Sequence, residues 1–357
     1  MKAKTLTLSL RLQFFLFILI LTRSAVADTY TVTNNNDGGA GSLRQAIIDA
    51  NANPGADFIT FDAAYIITLD AQPLTITTGN GDGTTIDGDI NGDDVPDITI
   101  QTSANISGLV ITAASCDIRS LHLRGFDDAS RAAILVDGST AIGNKVTGCR
   151  IGVTPGGNAT DVANHSGIMI DNGASGTLIG DGTTVGRNVI GGNSFGIRIR
   201  TSSPSTVISG NYIGIGYDGS SDVGNSIGVD IFNSNNTLVG VSGFNPNLIS
   251  SNSSQGIRLQ GSSSTIISNN YIGIDETGLS DRGNGIGIEV HSSSNGTQIG
   301  GPASARNIIA GHSARGIDID DSNNVKVMGN YIGLGSDGAT IIPNGTSGPA
   351  GIDIQGT

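Results

Sequence analysis

The chain has 357 residues, a formal net charge of −13, 54 glycines and no tryptophan. With so few Lys and Arg to replace phosphate counterions, nucleic acid and anionic membranes are excluded as partners. The Gly, Ser, Thr and Asn content would suit a disordered chain, but Ile and Val recur too regularly for that.

Lys2, Lys4 and Arg11 precede the apolar run Leu12–Leu21, and Ser24-Ala-Val-Ala27 supplies small residues. That order is a secretory signal, with cleavage expected after Ala27. The run is about half of what a membrane span needs. Cleavage removes four basic residues and no acid, so the mature chain carries −17. That charge also disfavours unassisted binding of polyanionic glycans.

Residues 28–107 are expected to form an N-terminal cap and the first strands. Ser42 is a capping residue with Gln45 three positions on. Leu43, Ala46, Ile47 and Ala50 share one helical face, and Pro54-Gly55 ends the helix. Such a helix would cover the open edge of the first coil.

Asp89-Ile-Asn-Gly-Asp-Asp-Val-Pro-Asp97 resembles the nine-residue calcium loops of integrin-type repeats. Oxygen ligands at alternate positions can wrap a hard cation. The resemblance implies Ca²⁺ held by Asp89, Asn91, Asp93, the Val95 carbonyl and Asp97. Asp94 stands where that pattern has Gly. The plainer alternative is a solvated acidic turn.

Repeats dominate residues 108–357. Gly196-Ile-Arg-Ile, Gly256-Ile-Arg-Leu and Gly316-Ile-Asp-Ile recur with Asn211-Tyr-Ile-Gly, Asn270-Tyr-Ile-Gly and Asn330-Tyr-Ile-Gly at steps of 59 or 60. Each step holds two units of roughly 30 residues. A unit has three short β-branched runs punctuated by Gly, Ser and Asn, and none shows helical periodicity. The expected fold is an all-β right-handed parallel β-helix solenoid, three strands per coil, with one short capping helix.

An Asn opens one strand of each clear coil: Asn188, Asn211, Asn247, Asn270, Asn307 and Asn330. Stacked amides can bond from coil to coil. The column resembles the asparagine ladder of the pectate lyase β-helix proteins, which implies a structural role. Extra residues, including 216–222 and 275–281, should form loops along one edge of alternate coils. Cys116 and Cys149 fall about five residues out of column, ~15 Å along a strand. That is too far for a disulfide, so two buried thiols are expected.

Thr31-Val-Thr-Asn34, Gly41-Ser-Leu-Arg-Gln-Ala-Ile47 and Asn53-Pro-Gly-Ala-Asp-Phe-Ile-Thr-Phe61, followed by Asn-Tyr-Ile-Gly repeats, resemble a group of bacterial exported β-helix proteins. That group is known by a Cys-Ser-Leu-Arg-Glu-Ala motif, from which Gly41 and Gln45 depart. The resemblance implies export and fold, and little about activity. The sequence stops inside a coil at Thr357, so a longer chain with an anchor or sorting domain is expected.

Three patterns could carry function. Met169, Arg198, Asp230, Arg258, Glu289, Asp318 and Asp353 are expected in one outward column. Alternating charge there reads as a surface ion-pair ladder, or as a polysaccharide lyase groove in which an arginine removes a proton. Asp318, Asp320 and Asp321 with His312 faintly resemble the acidic centre of polygalacturonase-type hydrolases, where paired carboxylates act as acid and base. The motifs that space those acids are missing. Tyr212, Tyr271 and Tyr331 recur on alternate coils and could stack on sugars, or pack beneath loops.

The leading expectation is an extracellular or cell-surface module that binds glycan or serves adhesion or structure, with a polysaccharide or cell-surface component as partner. The alternative is a polysaccharide lyase or glycoside hydrolase. No organic cofactor is expected.

Overall fold

The computed structural model describes residues 26–345 and 351–356. All but the end of the expected signal lies outside them. Strand, corner, strand, corner, strand, corner repeats along the chain and winds it into three parallel sheets of 11, 10 and 10 strands. The first sheet runs from Thr29–Val32 to Lys326–Met328, the second from Tyr65–Leu69 to Tyr331–Ile332, and the third from Leu74–Ile76 to Ile352–Gln355. Every pair between neighbouring coils is parallel, as between Ile227–Phe232 and Gln255–Gln260. With right-handed connections, this is an all-β right-handed parallel β-helix. Coiling begins at Thr29–Val32, which pairs with Phe58–Phe61, inside the segment expected to hold the cap and first strands.

The core is a stack of aliphatic side chains from all three sheets. Ile168, Ile197, Val229, Ile257, Ile288 and Ile317 form one column in register, all fully buried. Ile190, Ile213, Ile249, Ile272 and Ile309 form another. Burying one such side chain contributes about 1.5–3 kcal/mol, and like stacks on like from coil to coil.

Corners are held by ladders. Between the first and second sheets, Asn188 Nδ2 donates to Asn211 Oδ1 at 2.8 Å, Asn247 to Asn270 at 2.9 Å and Asn270 to Asn307 at 2.9 Å. A second ladder, unseen in the sequence, runs between the second and third sheets through Asn164, Asn193, Asn225, Asn252 and Asn284. A third uses serine: the Ser203, Ser234, Ser262 and Ser294 N–H groups donate in turn to the hydroxyls of Ser234, Ser262, Ser294 and Ser322. The Gly of Asn-Tyr-Ile-Gly is required because Gly214, Gly273 and Gly333 have φ of +84°, +82° and +76°.

Helix Leu43–Ala52 lies over the first coil and buries Leu43, Ala46, Ile47 and Ala50 as expected. Ser42 Oγ accepts from the Gln45 N–H at 3.1 Å. Among the described residues no helix is long and apolar enough to cross a membrane.

Cys116 and Cys149 are free and buried. They occupy different corners: Cys116 is bonded to Asn144, and Cys149 heads the first asparagine ladder through Asn188. Burial pushes both thiols up to about 12, so both stay protonated and inert near neutral pH.

Candidate functional site

The third sheet's outer face carries the predicted charge column. Register aligns Met169, Arg198, Asp230, Arg258, Glu289, Asp318 and Asp353 on successive coils. A neighbouring column, two residues on, contains Asp171, Arg200, Phe232, Gln260, His291, Asp320 and Gln355. Strand alternation puts both columns outward while the intervening Ile and Leu point in.

The face divides into three stretches. At the amino-terminal end a cavity of about 340 Å³ is lined by Val110, Leu135, Pro73, Ile106, Asn105 and Arg131. In the middle, Asp230 accepts from Arg198 Nε at 3.2 Å and from Arg258 Nε at 2.9 Å. Arg200 Nε donates to Asp171 at 2.7 Å. Burial draws the Arg198 guanidinium below its ordinary pKa, while Asp230 opposes that shift.

At the carboxy-terminal end, Glu289, His291, Arg315, Asp318, Asp320 and Gln355 line a cavity of about 210 Å³. Arg315 bridges Asp318 at 3.1 Å and Asp353 at 2.7 Å. His291 Nε2 lies 4.0 Å from Glu289 Oε2, and that oxygen accepts from Gln255 Nε2 at 2.9 Å. Burial raises the Asp318 carboxyl, Arg315 pulls it back, and Asp353 and Asp320 raise it further. A carboxyl held up in pKa beside a neighbouring carboxylate has the makings of an acid and base pair.

The acidic centre is thus differently composed from the one expected. Asp318 and Asp320 face the cavity, but Asp321 is exposed in the following turn with φ +46°. His312 is not there at all. It is fully buried in the second ladder, where its Nδ1 accepts from the Asn284 N–H at 3.1 Å. His291, from the preceding coil, is the histidine beside the carboxylates. Sequence reasoning missed it because only the register, which sets Glu289 against Asp318, carries His291 to the same cavity.

The tyrosines are not an open platform. Tyr212 is 3% exposed, with the Arg187 guanidinium 3.8 Å above its ring and its hydroxyl donating to Glu276 at 3.0 Å. Tyr331 is capped by Arg306 at 3.9 Å, and Tyr271 packs half-buried in the same apolar layer. The extra loops do stack along one edge: Tyr217 N–H donates to Gly157, Glu276 to Gly219 and Ser336 to Gly278. They shield the tyrosines from solvent.

In the acidic loop, Asp89 accepts from the N–H groups of Gly92, Asp93 and Asp94, Asn91 from Asp93, and Asp93 from Val95. Asp97 accepts from the Ile90 N–H. Asp94 holds the left-handed φ of +62° expected at the Gly position. The all-oxygen donor set suits calcium, though backbone N–H groups already bond to oxygens of Asp89, Asn91, Asp93 and Asp97. Among the described residues no three acidic, His or Cys side chains converge as for a metal.

A second polar cluster, absent from the sequence expectations, lies outside the second sheet. Thr99 Oγ1 is 2.9 Å from His122 Nδ1. His122 Nε2 is 3.4 Å from Asp161, which Arg124 also grips at 2.9 Å. Thr99 and His122 are buried, so this network fastens the 153–160 loop to the wall.

No protein-family model matches the chain, and neither does any curated protein. Among solved structures it is similar to the Dettilon tailspike protein, with a TM-score of 0.57 and 16% identity, covering 92% of this chain and 59% of that one. It also resembles full-length tailspike protein 2 of an Escherichia coli bacteriophage, with TM-score 0.55, 10% identity and coverage of 90% and 41%. The enzymatically active domain of bacteriophage CBA120 tailspike protein 2 gives 0.54, 11%, 90% and 46%. The chain spans less than two thirds of each of these, and at such identities the likeness is one of fold.

Proposed function

We propose that the chain is an exported β-helix that binds an extended polysaccharide along the outer face of its third sheet. The observation that carries this reading is one long outward face, largely apolar at its amino-terminal cavity and charged beyond it. It runs from the cavity at Val110 and Leu135, through the arginines, to the cavity at Glu289 and Asp318. Those ends lie six coil steps apart in register, about 29 Å at ~4.8 Å per coil. A rigid surface of that length suits a linear polymer better than a compact ligand. Export rests on the leader sequence and on the resemblance to exported β-helix proteins.

The raised carboxyl of Asp318, one coil on from Glu289 in the same cavity, favours a second reading, glycoside hydrolysis, with Asp318 as general acid and Glu289 as its partner. The lyase reading is less well supported, because Arg198 and Arg258, its bases, are both held by Asp230. Size-exclusion chromatography of neutral and acidic polysaccharides incubated with the protein separates the readings. Co-elution with intact polymer is the expected result. Shortened polymer that persists in Asp318→Asn would remove the assigned acid, and neither change across a broad panel would discard the polysaccharide reading.

A further inference from the structure

The middle of the third sheet's outer face inverts the charge of the chain around it. Arg198, Arg200 and Arg258 sit against only two carboxylates, Asp171 and Asp230. The carboxylates lie underneath: the side chain of Asp230 is 1% exposed and that of Asp171 is 5% exposed. The guanidiniums lie above them, 21% exposed at Arg198, 28% at Arg200 and 22% at Arg258. What reaches solvent here is positive, on a chain whose net charge is strongly negative.

The geometry leaves donors free. Asp230 takes one Nε–H from each side, using one oxygen for Arg198 and the other for Arg258. Among the described residues, the terminal nitrogens of Arg198 have no hydrogen-bond partner. Those of Arg258 meet only Gln260, whose amide oxygen lies 3.2 Å from Nη2. Arg198 is steadied further by lying 4.2 Å over the Phe195 ring. A buried carboxylate thus draws together two guanidiniums from strands two coils apart, ~9.6 Å between backbones, with outward donors spare. Planar guanidinium forks match carboxylate oxygens and hold them with charge-assisted hydrogen bonds.

We infer that Arg198 and Arg258, positioned by Asp230, form a subsite for the carboxylate of an acidic sugar within the bound polysaccharide. This deepens the polysaccharide reading and rests on it. Beyond the subsite the face turns acidic at Glu289, Asp318 and Asp320, so a neutral sugar suits the adjoining cavity. The preferred polymer therefore carries carboxylates intermittently, and a densely sulfated chain is repelled by that end and by the net charge.

The probes are dextran, sparsely carboxymethylated dextran and dextran sulfate, bound to the full chain near physiological salt. The variants are Arg258→Gln, the triple Arg198→Gln/Asp230→Asn/Arg258→Gln, which strands no buried charge, and Lys145→Gln, an equal charge change on the first sheet. The expected result is preference for carboxymethyl dextran over dextran by about tenfold or more, the scale of a charge-assisted hydrogen bond. That preference should vanish in the triple variant at unchanged melting temperature and persist in Lys145→Gln. Equal binding of dextran and carboxymethyl dextran would overturn the subsite while leaving the polysaccharide reading standing. A preference equally lost in Lys145→Gln would show a general charge effect and overturn it too. Binding of none of the polymers would overturn both.

Discussion

At the scale of single residues, the most informative side chain is His312. Every other described member of its ladder is asparagine. His312 Nδ1 stands in for the amide oxygen, but its Nε2 makes no well-formed hydrogen bond, only a weaker interaction of the ring with the Ile272 backbone, where asparagine donates to a carbonyl, as Asn284 does to Ile249 at 2.9 Å. His312→Asn is expected to raise stability by about 1 kcal/mol, the net worth of a completed hydrogen bond, as a shift in denaturant midpoint. Burial pulls this imidazole down to about 3. Above about 6.5 it is neutral in both folded and unfolded chains. Below that the unfolded chain takes a proton that the folded one refuses. Stability should therefore fall by up to about 1.4 kcal/mol per pH unit from 6.5 towards 3, and His312→Asn should remove that slope.

At the scale of elements, two pieces near the amino end can be tested separately. The helix N-cap at Ser42 satisfies the Gln45 N–H. Ser42→Ala should cost about 1 kcal/mol, measured by chemical denaturation, with the helix still packed through its buried face. The acidic loop at Asp89–Asp97 is already closed by its own Asp and Asn turns. We propose that calcium binds it by drawing those oxygens together, the expected result being a higher melting temperature with calcium than with chelator. Asp93→Asn should abolish the difference, and equal melts in both conditions for the unaltered chain discard the calcium proposal. The stacked loops over Tyr212 and Tyr271 decide between the two readings the sequence left open: the tyrosines pack beneath loops, as their apolar neighbours in the column suggested, and form no sugar platform.

At the scale of the whole molecule, acid acts on several sites in one direction. Burial is the leading cause that lowers His122 and His165 as well as His312, so each resists protonation on folding. Local hydrogen bonds hold Asp218, Asp275 and Asp337 below the ordinary carboxylate value despite the opposing effect of desolvation. Depressed carboxyls stabilise above their unfolded pKa and lose that contribution as pH falls through the folded one. The raised Asp87 and Asp318 work the other way, but are fewer. The melting temperature is expected to be highest near neutrality and to decline steadily from about pH 6.5 to below 4. A maximum in that acid range would contradict the buried-histidine account.

By itself the sequence determined the solenoid, its three strands per coil, the capping helix and the first asparagine ladder. Each follows from a local signal: alternation, turn residues, a capping pair, or one residue type repeated every coil. Tertiary structure alone decided what depends on winding and register. It moved His312 from the acidic centre into a corner and brought His291 to Glu289 and Asp318. It covered Tyr212, and it sank Asp230 beneath two arginines so that an acidic chain presents a basic island. The physical reason is that coil lengths vary with their loops, so spacing in sequence does not convert to position on a face. Burial of a charge, moreover, is set by neighbours one coil above and below, about thirty residues away in the chain.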